Sequence, residues 1–161
     1  MDFEEFVSSR LDGLLRYATV LSCDPHLAQD IVQEVMLRAQ ERWARIGAVE
    51  SPGAYVKTMV TNEYLAWRRR RARRDAILAS VRPVDAADPI ASYDQRDAML
   101  AGIARLPAKQ RAAIVLRFYE GYADDEIAAA LGCAVGTVRS HISRAVATLR
   151  TYARQPVEGR L

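Results

Sequence analysis

The sequence predicts an all-α protein made of two small helical domains joined by a flexible acidic linker. Apolar residues recur at intervals of three and four along most of the chain, which is the spacing of one helix face, and no segment alternates as a strand would. Residues 83–97 differ, because they hold two prolines and four aspartates against one arginine, a composition typical of linkers. We therefore expect three helices in a first domain at residues 1–78, a linker at 79–97, and four helices in a second domain at 98–155.

The first domain begins with two amphipathic helices. An apolar stripe starting at Phe3 predicts a helix that ends between Ser22 and Pro25, and a second helix is expected after Asp24-Pro25. The apolar residues of this second helix repeat every four positions, as Leu27, Ile31, Val35, Ala39 and Trp43. The polar residues off this stripe are expected on the exposed face of the helix: Asp30, Gln33 and Glu34.

A third helix is predicted after a loop at Gly47–Gly53, since Pro52 is tolerated in a first helical turn. It runs into six arginines within residues 67–74, whose planar, permanently charged groups suit phosphate oxygens. Aromatic, amide and basic side chains upstream could stack on unpaired bases as well as hold the backbone: Tyr55, Lys57, Asn62, Tyr64 and Trp67. Two alternatives stay open here, a solvated charge run and a core position for Tyr64 and Trp67.

The second domain begins with an apolar pattern at Met99 and a new helix at Leu106-Pro107, which Gly121 is expected to end. A helix-turn-helix motif follows, with helices at Asp124–Leu131 and Val135–Arg150 around a turn at residues 132–134.

The second helix of the motif has two faces. Its apolar face is formed by Val138, Ile142, Val146 and Leu149. The opposite face carries short polar side chains and arginines, which suit a DNA groove: Thr137, Arg139, Ser140, Ser143 and Arg144. The alternative is an ordinary helical hairpin with a solvated face.

Composition and charge exclude several classes of protein. The net charge is only +3, but residues 1–51 hold nine acids against five bases, whereas residues 52–82 hold eight bases against two acids, so the basic surface is local. Cys23 and Cys133 stand alone, which predicts neither a disulfide nor a zinc site. No signal peptide or membrane span is evident. We expect a cytoplasmic protein without cofactor or metal.

Four motifs, in order, resemble a bacterial RNA polymerase sigma factor of the extracytoplasmic-function (ECF) type, in its actinobacterial form. They are the segment from Asp30 to Ala39, the aromatic-rich helix ending in arginines, the segment from Leu106 to Phe118, and Gly136 to Ala145 in the helix-turn-helix. The resemblance covers almost the whole chain. It implies a sigma-2-like first domain and a sigma-4-like second domain, in a protein that binds core polymerase and directs it to promoters.

The resemblance also implies roles for particular residues. Asp30, Gln33 and Glu34 match positions that dock on the clamp helices of the polymerase's largest subunit, and the second domain is expected to contact the flap region. The loop from Ala44 to Gly53 matches the element that captures a flipped base of the minus-10 region. The other minus-10 contacts, to single-stranded non-template DNA and its backbone, are expected from Lys57, Asn62, Arg68, Arg69, Arg70 and Arg71. The double-stranded minus-35 element is expected to be read by Thr137, Arg139, Ser140 and Arg144.

Further expectations concern the linker, the partners and the helix caps. The linker would thread toward the polymerase active-site cleft and RNA exit path, with a plain solvated linker as the alternative, and an anti-sigma factor is a further partner of this class of protein. Ala123 and Ala134 stand where the family generally has a serine or threonine N-cap. Asp124 is expected to cap the first helix of the motif one residue later, and Thr137 could turn inward to serve the second.

Two rival functions differ in what they leave unexplained. A stand-alone helix-turn-helix regulator would give no purpose to the segment from Asp30 to Ala39 or to the arginine helix. An enzyme acting on nucleic acid would need an active site, but the chain has two histidines and no Gly-rich phosphate loop. Its acidic group Asp124-Asp125-Glu126 is better explained as favourable charge at a helix N-terminus.

Overall fold

The computed structural model describes residues 1–81 and 98–153, and all regular secondary structure in these residues is helical. The chain divides into two compact units, Met1–Ala76 and Ile77–Leu161. The predicted all-α fold is therefore confirmed. Successive helices are α1 (Phe3–Ser22), α2 (Pro25–Glu41), α3 (Trp43–Ile46), α4 (Pro52–Val81), α5 (Ala98–Arg105), α6 (Ala108–Ile114), a π-helical turn (Val115–Tyr119), α7 (Asp124–Leu131) and α8 (Val135–Ala153).

The turn between α1 and α2 lies where the sequence predicts it. Cys23 ends α1 in the left-handed conformation, with φ of 56°. Asp24 then caps α2, because its Oδ1 accepts the backbone N–H groups of His26 and Leu27 at 3.0 and 3.2 Å. Pro25 occupies the first helical turn, where no donor is lost. The sequence signal Asp-Pro thus starts α2 by satisfying the free N–H groups of its first turn.

The core of the first unit joins α1, α2 and α4. Phe6 and Tyr17 of α1 are buried, as are Val32 of α2 and Val60 of α4. The Tyr17 hydroxyl and Thr61 Oγ1 are hydrogen-bonded at 2.6 Å, so the buried polar atoms of α1 and α4 satisfy each other.

Helix α3 is a single turn that the sequence did not predict. Its first residue, Trp43, continues the apolar stripe of α2 but lies beyond the end of that helix. The Trp43 ring packs against Phe3 and Phe6, with centroid separations of 5.4 and 4.9 Å. The stripe therefore extends into α3 because Trp43 contacts the start of α1.

Helix α4 resolves the open question about its aromatic residues. Tyr64 is fully buried, so it is a core residue and does not stack on bases. Trp67 is half-buried, and its ring lies beneath the Arg71 guanidinium. The helix continues to Val81, three residues into the segment predicted as a linker at 79–97. Residues 82–97 of that segment, and with them its predicted path through the polymerase, lie outside the described residues.

The second unit packs α5, α6 and α7 around α8. The apolar cluster of Leu106, Ile114, Ala145 and Leu149 is extended by half-buried residues of α5 and α8. Gly102 allows α5 to approach α8 closely, because a Cβ atom there would lie 2.9 Å from Leu149 Cδ2. The predicted apolar face of α8 is thus the face that forms the core.

A buried arginine holds the start of this unit together. Arg111 of α6 is completely buried, and its Nη2 donates a hydrogen bond to the carbonyl of Ala104 in α5. That carbonyl belongs to the last turn of α5, where backbone acceptors lack partners within the helix. Arg111 therefore serves as a C-terminal cap for α5.

The segment from Leu106 to Phe118 changes from α-helical to π-helical geometry, which its sequence pattern does not reveal. After Ile114 the helix widens into the π-helical turn, which the backbone hydrogen bond from Glu120 N–H to the Val115 carbonyl closes at 3.1 Å. Phe118 and Tyr119 project from this turn, with 68% and 49% of their surface exposed.

Candidate polymerase and DNA interfaces

The polar residues of α2 form one exposed face. Asp30, Gln33 and Glu34 are all exposed, whereas Ile31 and Val32 between them are buried. The structure therefore brings together the three residues predicted to dock on polymerase. Leu37, which the sequence analysis did not single out, lies on this face one turn beyond Gln33 and is 55% exposed. The sequence could have identified Leu37, because it follows Glu34 by three residues and Gln33 by four, and such residues share one helix face.

An ion-pair cluster connects this face to α4. Arg38 pairs with Glu34 at 3.0 Å and, through Nη1, with Glu63 of α4 at 2.9 Å. Glu63 also accepts Arg70 Nη2 at 3.2 Å, and only 12% of its side chain is exposed. The hydrogen bond to Glu63 is the main cause that raises the pKa of Arg38. We call Arg38, Glu63 and Arg70 the Glu63 cluster.

The Glu63 cluster links residues that the sequence assigned to different partners. Glu34 is a predicted polymerase contact and Arg70 a predicted DNA contact. Neither Arg38 nor Glu63 was singled out, because they lie 25 residues apart in sequence and only the folded chain pairs them.

The other predicted minus-10 residues lie along α4. Asn62 and Arg69 are exposed, and Lys57 is half-buried with its Nζ 5.7 Å from the centroid of the Tyr17 ring. Arg68 donates to the Tyr64 hydroxyl at 3.1 Å. Spacing within the helix separates Lys57 from the arginines by about 20 Å.

The four consecutive arginines of α4 do not share one face. Successive residues of an α-helix are rotated by about 100°, so residues 68–71 surround most of the helix. Arg70 reaches Glu63, while Arg71 lies over the Trp67 ring at 5.4 Å and 3.9 Å from Asp75. Contacts with neighbours thus direct individual arginines to different sides of α4.

The loop from Ala44 to Gly53, predicted to capture a flipped base, is partly helical. Its first three residues belong to α3, and the N–H of Gly47 donates to the Trp43 carbonyl at 2.7 Å. A Cβ atom at Gly47 would lie 3.0 Å from Trp43 Nε1, so the backbone passes close to that ring. The non-helical part of the segment is therefore limited to residues 47–51, ahead of Pro52.

The predicted minus-35 residues form the exposed face of α8. Thr137, Arg139, Ser140 and Arg144 are all exposed, and Val138 and Ala145 on the other side are buried. His141 lies at the edge of this face. Burial lowers the pKa of its imidazole, and the positive charges of Lys109 and Arg144 lower it further.

The prediction that Asp124 caps α7 was wrong. Asp124 is the first residue of the helix, and Ala123 occupies the N-cap position. Glu126 Oε1 accepts the Ala123 backbone N–H at 3.1 Å, which is the half of a capping box that needs no side-chain oxygen at the N-cap. The acidic group at residues 124–126 does lie in the first helical turn, where its charge is favourable.

Asp124 has different partners. Its carboxylate pairs with Arg117 of the π-helical turn and, through Oδ2, with Nε of Arg139 at 3.3 Å. A quarter of the Asp124 side chain is exposed, against 71% of the Arg139 side chain. We call Arg117, Asp124 and Arg139 the Asp124 cluster.

Within residues 1–81 and 98–153, no group of three or more metal-ligating side chains comes together, and no helix is long and apolar enough to cross a membrane. Cys23 and Cys133 are not joined in a disulfide. The candidate sites are the two exposed faces described above, on α2 with α4 and on α8.

Both units of the chain match known protein families. Residues 6–74 match the Sigma-70 region 2 family, and residues 96–149 match the Sigma-70, region 4 family. The presence of both regions disfavours a stand-alone helix-turn-helix regulator, which would need only the second.

Individual relatives agree with this placement. The chain is 35% identical over 150 residues to an RNA polymerase sigma-E factor of Streptomyces avermitilis, covering 93% of this chain and 84% of the relative. It is 32% identical over 142 residues to the ECF RNA polymerase sigma factor SigL of Mycobacterium tuberculosis, covering 85% and 80%. Among solved structures, it is similar to the sigma factor RpoE of Bartonella quintana in complex with the anti-sigma factor NepR, with a TM-score of 0.70, 29% identity and coverage of 98% and 99%. The chain thus belongs to the sigma-70 family as an ECF RNA polymerase sigma factor, which binds core RNA polymerase and directs it to promoters.

Proposed function

We propose that the two units divide promoter recognition between them, the first taking the minus-10 region and the second the minus-35 element. The single observation that carries this division is that none of the thirteen predicted contact residues is buried in the core of its unit. The domain limits at residues 1–78 and 98–155 belong to this proposal, with residues 79–97 between them. The protein would work in the cytoplasm, on the chromosome, without catalysing a reaction of its own.

Polymerase docking is assigned to the exposed face of α2. Asp30 and Glu34 present carboxylates there, and Gln33 adds an amide between them. Leu37, at 55% exposure, supplies an apolar contact on the same face. Specific protein interfaces combine apolar contacts with polar and charged residues around them, which supports this face as the one that meets the clamp helices of the largest subunit.

Flap binding is assigned to the second unit on similar grounds. Phe118 and Tyr119 are adjacent and exposed on the π-helical turn, and neither is among the residues predicted to contact DNA. Exposed aromatic side chains are enriched at protein interfaces. This patch supports a contact with the flap region of polymerase.

Strand opening is assigned to α4 and the segment before it. Asn62, Arg69 and the half-buried Lys57 lie along α4, and residues 47–51 precede it. Positive charges along the helix would hold the backbone of the non-template strand, since phosphate contacts fix register without reading sequence. A base of the minus-10 region would be held unstacked by the segment at 47–51, and unstacking costs a few kcal/mol that this binding must offset.

An anti-sigma factor is a further proposed partner. The Bartonella quintana sigma factor, to which the chain is similar over 98% of its length, was solved with one bound. An anti-sigma factor that covered the α2 face or the α8 face would block the proposed contacts with polymerase or promoter.

The experiment that tests the docking assignment replaces Asp30 and Glu34 with alanine. We expect core polymerase affinity to fall by about tenfold or more, since charges at an interface contribute on the order of 1–3 kcal/mol together. The matched control replaces two exposed acids of α1, Glu4 and Asp12, because it removes the same charge from another surface. Equal polymerase affinity for the two double variants, both folded by circular dichroism, would contradict the assignment.

A further inference from the structure

The Asp124 cluster joins three separate elements of the second unit. Arg117 comes from the π-helical turn, Asp124 from the first residue of α7 and Arg139 from α8. Asp124 is the only one of the three that touches both others in the described structure. It was expected to cap α7, but Glu126 contacts the Ala123 N–H instead, so the carboxylate of Asp124 is available to the arginines.

The contact with Asp124 uses Nε of Arg139 and leaves most of the arginine side chain exposed. Asp124 Oδ2 accepts from Nε, 3.3 Å away, which is the nitrogen nearest the aliphatic stem. The side chain is nevertheless 71% exposed. A guanidinium held at Nε keeps its two terminal nitrogens in a fixed plane, and those are the donors that match O6 and N7 of guanine in a major groove.

Arg117 explains how a carboxylate can be tolerated next to DNA. An unpaired Asp124 would repel the phosphates that approach α8, whereas the pair with Arg117 balances its charge. Arg117 lies on the π-helical turn, and two-thirds of its side chain is sheltered. It therefore holds Asp124 through Oδ1, the carboxylate oxygen that Arg139 does not contact.

From these contacts we infer that Asp124 is a positioning residue for minus-35 recognition, which orients Arg139 so that its terminal nitrogens meet a base edge. The inference rests on the proposed role of Arg139 in reading the minus-35 element. An immobilised side chain does not lose its rotamer freedom at the moment of binding. Asp124 thus increases discrimination between base pairs without touching DNA.

The test uses the full chain in complex with core polymerase, on promoter libraries randomised in the minus-35 element. Arg139→Ala first identifies the base pair whose preference depends on Arg139. Asp124→Asn keeps the shape of the side chain but removes its charge, and we expect it to reduce preference at that same base pair by about threefold to tenfold. Asp125→Asn is the matched control, because it removes an equal charge from the same helical turn, and we expect it to leave the preference unchanged.

A double variant separates positioning from a general effect on folding. If Asp124 acts through Arg139, adding Asp124→Asn to Arg139→Ala causes no further loss of preference, whereas a purely structural role would add its own loss. Asp124→Glu, which retains the carboxylate, should recover part of the preference.

Three results would overturn the inference. If Asp124→Asn behaves like Asp125→Asn, Asp124 does not position Arg139. If Asp124→Asn tightens binding and sharpens the preference, the carboxylate sequesters Arg139 instead. If Arg139→Ala changes no base preference, both the proposed minus-35 role of Arg139 and the inference about Asp124 are wrong. The first two results would contradict only the inference about Asp124 and leave the proposed role of Arg139 standing.

Discussion

Each unit of this sigma factor contains one sheltered carboxylate that two arginines contact, but the two clusters differ in what they connect. In the Glu63 cluster, the carboxylate joins α4 to α2, and 12% of its side chain is exposed. In the Asp124 cluster, the carboxylate is 25% exposed and joins the two helices of the helix-turn-helix to the π-helical turn before them. The first cluster links the proposed polymerase-binding face of α2 to the proposed DNA-binding helix α4, whereas the second holds an arginine of the proposed minus-35 face of α8.

The comparison indicates that these ion pairs matter more for orientation than for stability. Exposed pairs typically contribute between 0 and about 1 kcal/mol, because solvent screens them and two long side chains must be ordered. Three of the four arginines in the two clusters are exposed, with 44% and 56% of the side chain exposed for Arg38 and Arg70 and 71% for Arg139, whereas Arg117 is 32% exposed. What each carboxylate controls is therefore the direction in which an arginine points.

The largest effect on stability is expected from an arginine outside both clusters. Arg111 is completely buried and donates to the last turn of α5, so Arg111→Ala should lower the free energy of unfolding of the second unit by about 3 kcal/mol. Thermal and urea unfolding of the chain would measure this. Arg150→Ala, at an exposed position of α8, is the control and should change little. Similar losses of stability in both variants would mean that the burial of Arg111 makes no special contribution to the second unit.

A smaller loss is expected when the carboxylate of the first cluster is removed. Glu63→Ala should cost about 1 kcal/mol of stability, since it deletes two charged hydrogen bonds at a mostly sheltered site. It also frees Arg70 and leaves Arg38 paired with Glu34, so affinity for non-template DNA should change while the fold persists. Asp12→Ala on α1 provides the same change in charge without a cluster. If binding of single-stranded DNA is the same in the two variants, Glu63 does not direct Arg70.

The third prediction contrasts a backbone contact with a base contact. Arg69 is exposed on α4 outside the contacts of the Glu63 cluster, so Arg69→Ala should weaken binding equally for all promoters and reduce the salt slope by about one unit. Arg139→Ala should instead relax the choice among minus-35 sequences. Promoter binding by the holoenzyme at several salt concentrations measures both. A loss of sequence preference in Arg69→Ala would contradict the proposed division between the units.

The smallest effect is expected from pH and concerns His141 in the second unit. Burial lowers the pKa of His141 in the folded state, and Lys109 and Arg144 add to this. The unfolded chain therefore binds the proton more readily, so the stability associated with neutral His141 is present above the unfolded-state pKa of about 6.5 and is lost as pH falls below it. As the pH is lowered from above to below about 6.5, the unfolding temperature should fall more for the native chain than for His141→Gln. Equal falls would mean that other groups cause the pH dependence.

Much of the fold follows from sequence periodicity and caps. The ends of α1 and the start of α2 were predicted because Asp24-Pro25 interrupts a regular apolar stripe. The exposed faces of α2 and α8 followed from the same periodicity, since residues off an apolar stripe face solvent.

The features that the sequence did not reveal depend on contacts between distant residues. Tyr64 was ambiguous because an aromatic residue on a helix can pack or project, and only the packing of the first unit buries it. Glu63 and Arg38 meet across 25 residues, and Asp124 and Arg139 across 15. The π-helical turn has no local signal either, because its residues also fit an α-helical pattern.

The π-helical turn at Val115–Tyr119 contains one residue more than an α-helical turn would need, and it lies just before the helix-turn-helix. A deletion within residues 115–119 would allow the backbone to close as an ordinary α-helix, with no break in the chain. The helices that follow would keep nearly the same orientation, because the five residues of this π-helical turn rotate the chain about as far as four residues of an α-helix. The change would be confined to the turn, where Arg117 and Phe118 would be redirected, so the proposed flap contact and the support of Asp124 would be lost together. The length of this segment is therefore subject to a constraint that substitutions alone would not expose.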